Sequence, residues 1–215
     1  RGYIPGTLDE AGKLREFTSA CAPLVYRGDA LPADYRGNAF VCEPAGNLIK
    51  RNVITADGPL LSAHDPYPGA EFLASTDERF RPVWLADGPD GALYIADMYR
   101  GINQHGAYMT DYLKEQIRAR GLEQPIHQGR IWRVVPADWQ PAPAPKLSTA
   151  DAGALIETLS ADNGWRRDAA QRLLVERDDP AAAPALEQLV LSGEKARGRL
   201  HALRVKGADT IGGHQ

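Results

Sequence analysis

Apolar residues over the first 135 positions recur mostly at a period of two, in short runs divided by turn residues, and beyond "QPAPAP" (140–145) the period lengthens to about 3.6. Strands are predicted at 15–26 (REFTSACAPLVY), 39–43 (AFVCE), 47–54 (NLIKRNVI), 80–86, 92–97 (ALYIAD) and 130–135 (RIWRVV). The runs are broken by turn signals and the region is rich in Gly, Pro, Tyr and β-branched residues. Between the last two, Tyr108, Tyr112, Leu113, Gln116 and Ile117 follow helical spacing and Gly121 supplies a stop, so a helix near 107–120 is expected to interrupt the strands.

The stretch "GPDG" at 88–91 carries Pro89 for the first corner, Asp90 for local bonding and Gly91 for a positive φ, which predicts a tight hairpin. Short antiparallel strands recurring with such turns read as blades of a β-propeller. Two strand triplets do not close a ring, so the expectation is either that further blades precede this segment or that a smaller open sheet forms.

The alternating prolines of 140–147 predict a stiff linker. After it, "TADAGALIETLS", "GWRRDAAQRLLVER", "DPAAAPALEQLVLS" and "KARGRLHALRVK" read as four amphipathic helices of the HEAT kind over 148–205, followed by a tail at 206–215. In the second of them, Trp165, Ala169 and Leu173 form a stripe expected in the core. Arg166 and Arg167 are expected on the solvated face beside Asp168 and Glu176. The fold class expected is mixed: a partial all-β propeller over 1–139, then an all-α helical repeat.

With 43% hydrophobic and 25% charged residues in 215, the chain has the composition of a folded domain. Its formal charge of −3 offers no basic face for nucleic acid. No run approaches the roughly 20 apolar residues of a membrane span. The chain starts at Arg1 with no apolar signal core, which reads as a fragment of something longer, any export signal being removed or upstream. The only cysteines, Cys21 and Cys42, lie in neither CxxC nor CxxCH, so the segment carries no sequence signature of structural zinc or attached haem.

Candidate chemistry gathers at "ERFRPVWLADGPDGALYIADMYRG" (78–101). Residues i and i+2 share one strand face, so Arg79 and Arg81 present two guanidiniums about 7 Å apart. If the hairpin turns at 88–91, Asp97, Tyr99 and Arg100 join them at one end, with Lys50 and Arg51 on the corresponding rim of the first triplet. Paired arginines suit a multiply acidic ligand. The plainer reading is an Arg81–Asp97 ion pair with Arg79 in solvent. His105 is a candidate acid/base group or axial metal ligand, but with no second histidine at i+3 or i+4 a structural role is the alternative.

"RFRPVWLADGPDGALYIADMYRGI", with "GNAFVCEPAGNLIKRNVI" before and "GRIWRVV" after, resembles the soluble quinoprotein sugar and sorbosone dehydrogenases, six-bladed propellers. More closely, residues 15–205 resemble the propeller and HEAT portion of large secreted dehydrogenase-like proteins. The resemblance implies a quinone cofactor, PQQ, held by Arg79 and Arg81 with Lys50 or Arg51 contributing. It also implies a sugar or alcohol substrate, an electron acceptor such as a c-type cytochrome, and a periplasmic or secreted location. The family's general base and calcium ligands fall outside this segment. An oxidising compartment and a register that places Cys21 and Cys42 opposite or one step off lead to the expectation of a disulfide. The alternative function is a non-catalytic scaffold that binds a protein partner.

Overall fold

The computed structural model describes residues 9–10, 15–141, 143 and 145–212. The first eight positions, part of the linker and the end of the tail, His214 included, lie outside the described residues. The chain divides into two compact units. The first comprises residues 1–26, 34–86 and 93–134, and the second 27–33, 87–92 and 135–215.

In the first unit, strands β1 (Cys21–Val25), β2 (Ala39–Glu43), β3 (Leu48–Asp57) and β4 (Leu60–His64) pair in that order, and the two-residue β5 (Leu73–Ala74) also pairs with β3. The long β3 serves two partners: Asn52 to Leu48 face β2, and Val53 to Asp57 face β4. Alternation is visible at β2, where Phe40 and Cys42 are fully buried. Opposite them stand Arg51 and Ile49. Strands β6 (Pro82–Asp87), β7 (Leu93–Asp97) and β8 (Arg130–Val134) form a second, three-stranded antiparallel sheet. On β7, Leu93, Ile95 and Asp97 are buried.

The expected propeller is not formed. The strands make two small antiparallel sheets with no closed barrel or ring among the described residues, so the architecture is a mixed α/β fold and the smaller open sheet describes the strand region. The sequence pattern carries strand identity and hairpin turns, whereas ring closure depends on how sheets pack against one another, which no local pattern encodes. Strands β4 and β5 escape sequence reading because β4 is exposed along its whole length and so lacks alternation.

The predicted insertion is α1 (Asp111–Arg120), started by Thr110, whose hydroxyl accepts from Leu113 N at 3.2 Å, and stopped by Gly121 at φ 60°. Leu113, Ile117 and Leu122 form its own small core. Cys21 and Cys42 are register partners, as expected, but both thiols are free. The ladder is irregular between Cys21 and Leu24, with Ala22 at φ 49°, and the Cys21 thiol lies 3.9 Å from Val83 O as its acceptor.

The four helices predicted for the second unit are present: α2 (Ala152–Thr158), α3 (Gly164–Arg177), α4 (Ala183–Ser192) and α5 (Ala196–Gly212), the last running into the supposed tail. Asp151 and Asn163 cap α2 and α3 by accepting from Ala154 N and Arg166 N. Leu155, Leu159, Ala170, Leu174, Leu186, Ala202 and Val205 form the core. Two sequence expectations are corrected in this unit. Arg167 is buried rather than solvated, donating from Nη1 to Ala161 O and Asp162 O. Trp165 is 38% exposed, and Ala169 and Leu173 only flank the core. The sequence could not separate these faces because α3 carries apolar and charged residues with little segregation.

Candidate binding site at Tyr99, Arg130 and Trp132

Arg81 immediately precedes β6, and its side chain is buried. Its Nε donates to Arg100 O (3.0 Å), Nη1 to Pro44 O (2.6 Å) and Nη2 to Gly101 O (3.0 Å). Asp97 is beside it, as the hairpin predicts, but takes the Arg81 backbone N–H at 2.8 Å rather than the guanidinium. Arg79 turns to the turn that follows α1, donating to Gly121 O (3.0 Å) and Gln124 O (2.8 Å).

Lys50 and Arg51 are adjacent on β3 and enter separate clusters. Lys50 Nζ lies 2.5 Å from Asp65 and 3.7 Å from Glu71. Arg51 is buried, stacked 3.7 Å from the Tyr35 ring centroid, and donates to Asn38 Oδ1, Tyr67 Oη, Asp34 O and Asp34 Oδ2. Arg79, Arg81, Lys50 and Arg51 therefore direct most of their donors to groups of the fold. The quinone implied by the sequence resemblance does not fit Arg81 and Arg51, whose guanidiniums hold acceptors of the fold at every nitrogen and have no open fork for a tricarboxylate.

The same end of the second sheet does hold an open fork that sequence reading passed over. Asp97, 2% exposed, anchors it: Oδ1 accepts from Tyr99 N (2.8 Å) as well as Arg81 N, and Oδ2 accepts from Trp132 Nε1 (2.9 Å). These bonds hold Tyr99 at φ 46°, a left-handed conformation unusual for a bulky residue. The Tyr99 hydroxyl donates to Asp77 Oδ2 at 2.8 Å, and Asp77 Oδ1 accepts from Arg79 N at 2.9 Å.

On this platform the Arg130 guanidinium sits 3.6 Å from the Tyr99 ring centroid and 5.7 Å from that of Trp132. Its Nε is tied to Gln128 O at 3.1 Å. Among the described residues no acceptor engages its two terminal nitrogens. Burial pushes the Asp77 carboxyl up, but the Arg79 N–H, the Tyr99 hydroxyl and the charges of Arg79 and Arg130 outweigh it and hold that carboxyl below its usual range. The Tyr99 phenol is raised, chiefly by its bond to Asp77. The result is a fixed, permanently charged donor pair on an aromatic support, suited to a planar anion. The one signal in the sequence was Arg130 and Trp132 on a strand pairing with β7, where Arg130 falls opposite Asp97.

His105 Nδ1 accepts from Ala107 N at 3.3 Å and caps the short 3₁₀ turn at 106–108. No group of three or more His, Cys, Asp or Glu side chains among the described residues is arranged to hold a metal ion. No helix among them is long and apolar enough to cross a membrane.

Residues 5–138 match a family described as "Domain of unknown function (DUF7133)", a span that covers more than half of the 215-residue chain and includes the whole Tyr99–Arg130–Trp132 site. No curated protein and no solved structure matches the chain. The chain belongs to the DUF7133 family.

Proposed function

We propose that this DUF7133 chain binds a planar, carboxylate-bearing small molecule at Tyr99, Arg130 and Trp132, as the recognition part of a dehydrogenase-like protein acting on a sugar or alcohol. The observation that carries the binding reading is the open guanidinium of Arg130, stacked at 3.6 Å on Tyr99 and fixed through Nε by Gln128 O. A stacked arginine loses little freedom on meeting a carboxylate, and its planar fork matches the two oxygens. The dehydrogenase part of the reading rests on the sequence resemblance around 79–102, with no step of hydride transfer assigned to residues of this chain.

Binding is tested by titrating PQQ, a planar tricarboxylate, into the full chain, with citrate as a non-planar tricarboxylate control. PQQ is expected to bind more tightly than citrate, and Arg130→Ala to weaken it roughly ten- to a hundredfold, the loss of one charge-assisted contact of about 1.5–3 kcal/mol. Equal affinity of the parent and the Arg130→Ala chain for PQQ would sink the proposal. Dye reduction with aldoses then asks separately whether a bound ligand supports oxidation.

A further inference from the structure

The second unit carries a groove of about 290 Å³ whose lining joins the linker exit, Lys146 to Thr149, to one face of α3, Trp165, Ala169, Arg172 and Leu173. Leu147 is buried at its floor, and the turn that carries it is clamped from below: Arg177 donates from Nη1 to Ala150 O (2.5 Å) and from Nη2 to Ser148 O (2.9 Å). The floor is therefore fixed and apolar. Trp165 stands 38% exposed along one side.

The charged groups of the lining are of one sign. Lys146 and Arg172 line the groove, and none of its lining residues is acidic. Among the described residues no carboxylate lies within ion-pairing distance of Lys146. Among the described residues Arg172 has only Glu176, 3.6 Å away along the same helix, with both side chains more than half exposed, a pair too wet to neutralise it. On a chain whose formal charge is −3, a wholly cationic, tryptophan-walled groove is a local departure from the average surface. We propose that it docks a partner peptide that places a large apolar side chain against Trp165, Ala169 and Leu173 and flanks it with Asp or Glu facing Lys146 and Arg172. The apolar side chain supplies burial at the groove core and the carboxylates supply orientation. This inference is independent of any ligand at Arg130.

The test is a random peptide display library panned against the full chain. The expected result is enrichment of sequences with Leu, Phe or Trp within two residues of Asp or Glu. A selected peptide, fluorescently labelled, should lose at least tenfold in affinity against Lys146→Glu and against Arg172→Glu, bind more weakly as salt rises, and bind Arg118→Glu, a charge reversal on α1, as it binds the parent. Its Glu→Lys counterpart should bind the Lys146→Glu, Arg172→Glu double variant. Far-UV circular dichroism of each variant separates lost docking from lost fold. No enrichment, a neutral or basic consensus, or peptide binding unchanged by both reversals overturns the proposal. So does concentration-dependent dimerisation of the parent abolished by the same reversals, which would assign the groove to a second copy of the chain.

Discussion

Arg81 Nη1 donates to Pro44 O at 2.6 Å, so an arginine at the start of β6 holds the turn that joins β2 to β3. The same guanidinium holds Arg100 O and Gly101 O in the loop after β7, so three carbonyl dipoles face its buried charge. Arg81→Ala removes three donors at once and leaves their acceptors in a dry site. It is expected to destabilise the chain by about 3 kcal/mol or more, read as a lower urea midpoint. Arg79→Ala, whose bonds lie at the exposed turn after α1, should cost about 1 kcal/mol. Equal midpoints for the two variants would contradict this division.

Arg130→Lys separates charge from geometry. Lysine keeps the positive charge but loses the planar face that stacks on Tyr99 and the two-pronged fork. PQQ affinity is expected to fall nearly as far as with alanine, while the urea midpoint moves by less than about 0.5 kcal/mol equivalent, as for a substitution that removes no buried contact. Full rescue by lysine would show that charge alone suffices.

Gly91 is fixed by its surroundings as well as by its φ of +82°. A Cβ there would lie 1.9 Å from Asp29 Oδ1 and 2.9 Å from Ala30 N. Asp29 Oδ1 also accepts from Asn163 Nδ2, the α3 cap, at 3.1 Å. Gly91→Ala should therefore destabilise by more than the roughly 1 kcal/mol that positive φ alone costs, seen as a fall in thermal midpoint. An unchanged midpoint would show that the turn relaxes freely.

His201 gives the second unit a pH dependence of definite sign. The buried imidazole accepts at Nε2 from Arg167 Nε (3.4 Å) and donates from Nδ1 to Gln171 Oε1 (2.7 Å). Burial lowers its pKa, the charge of Arg167 lowers it further, Asp168 opposes them, and Arg204 and Arg27 add to the lowering. The folded chain thus favours neutral histidine more than the unfolded chain does. Its contribution is present above the unfolded value of about 6.5 and is lost as pH falls below it. The urea midpoint is expected to fall between about pH 7 and pH 5, and His201→Gln should flatten that slope. A slope unchanged by the substitution would assign the pH dependence to other groups.

The cysteines should be poor nucleophiles while the chain is folded. Burial pushes the Cys42 thiol up to about 12, with Cys21 adding to the shift, and burial followed by the charge of Glu43 raises Cys21. Both thiols are expected to react with an aromatic disulfide reagent at pH 8 far more slowly than after unfolding in urea, because the thiolate is the reacting form. Prompt reaction of two thiols in the native chain would overturn this.

The sequence by itself determined what local geometry and short-range bonding control. The strand at 39–43, the helix at 164–177, the turn at 88–91 with Gly91 at positive φ, the stop at Gly121 and the Cys21–Cys42 register all stand where period, capping and turn chemistry place them. Tertiary structure decided how the sheets associate and where long side chains go. A period of two is the same in an open sheet and in a propeller, so the closed ring could not be read from it. The spacing of Arg79 and Arg81 fixes where their Cα atoms lie, whereas three or four further rotatable bonds let one guanidinium reach Pro44 and the other Gly121. Arg130 became a candidate only when the pairing of β7 with β8 brought Tyr99, held by its near neighbour Asp97, against the guanidinium face. Such long-range pairs carry the candidate site, and their sequence separation leaves no local signature.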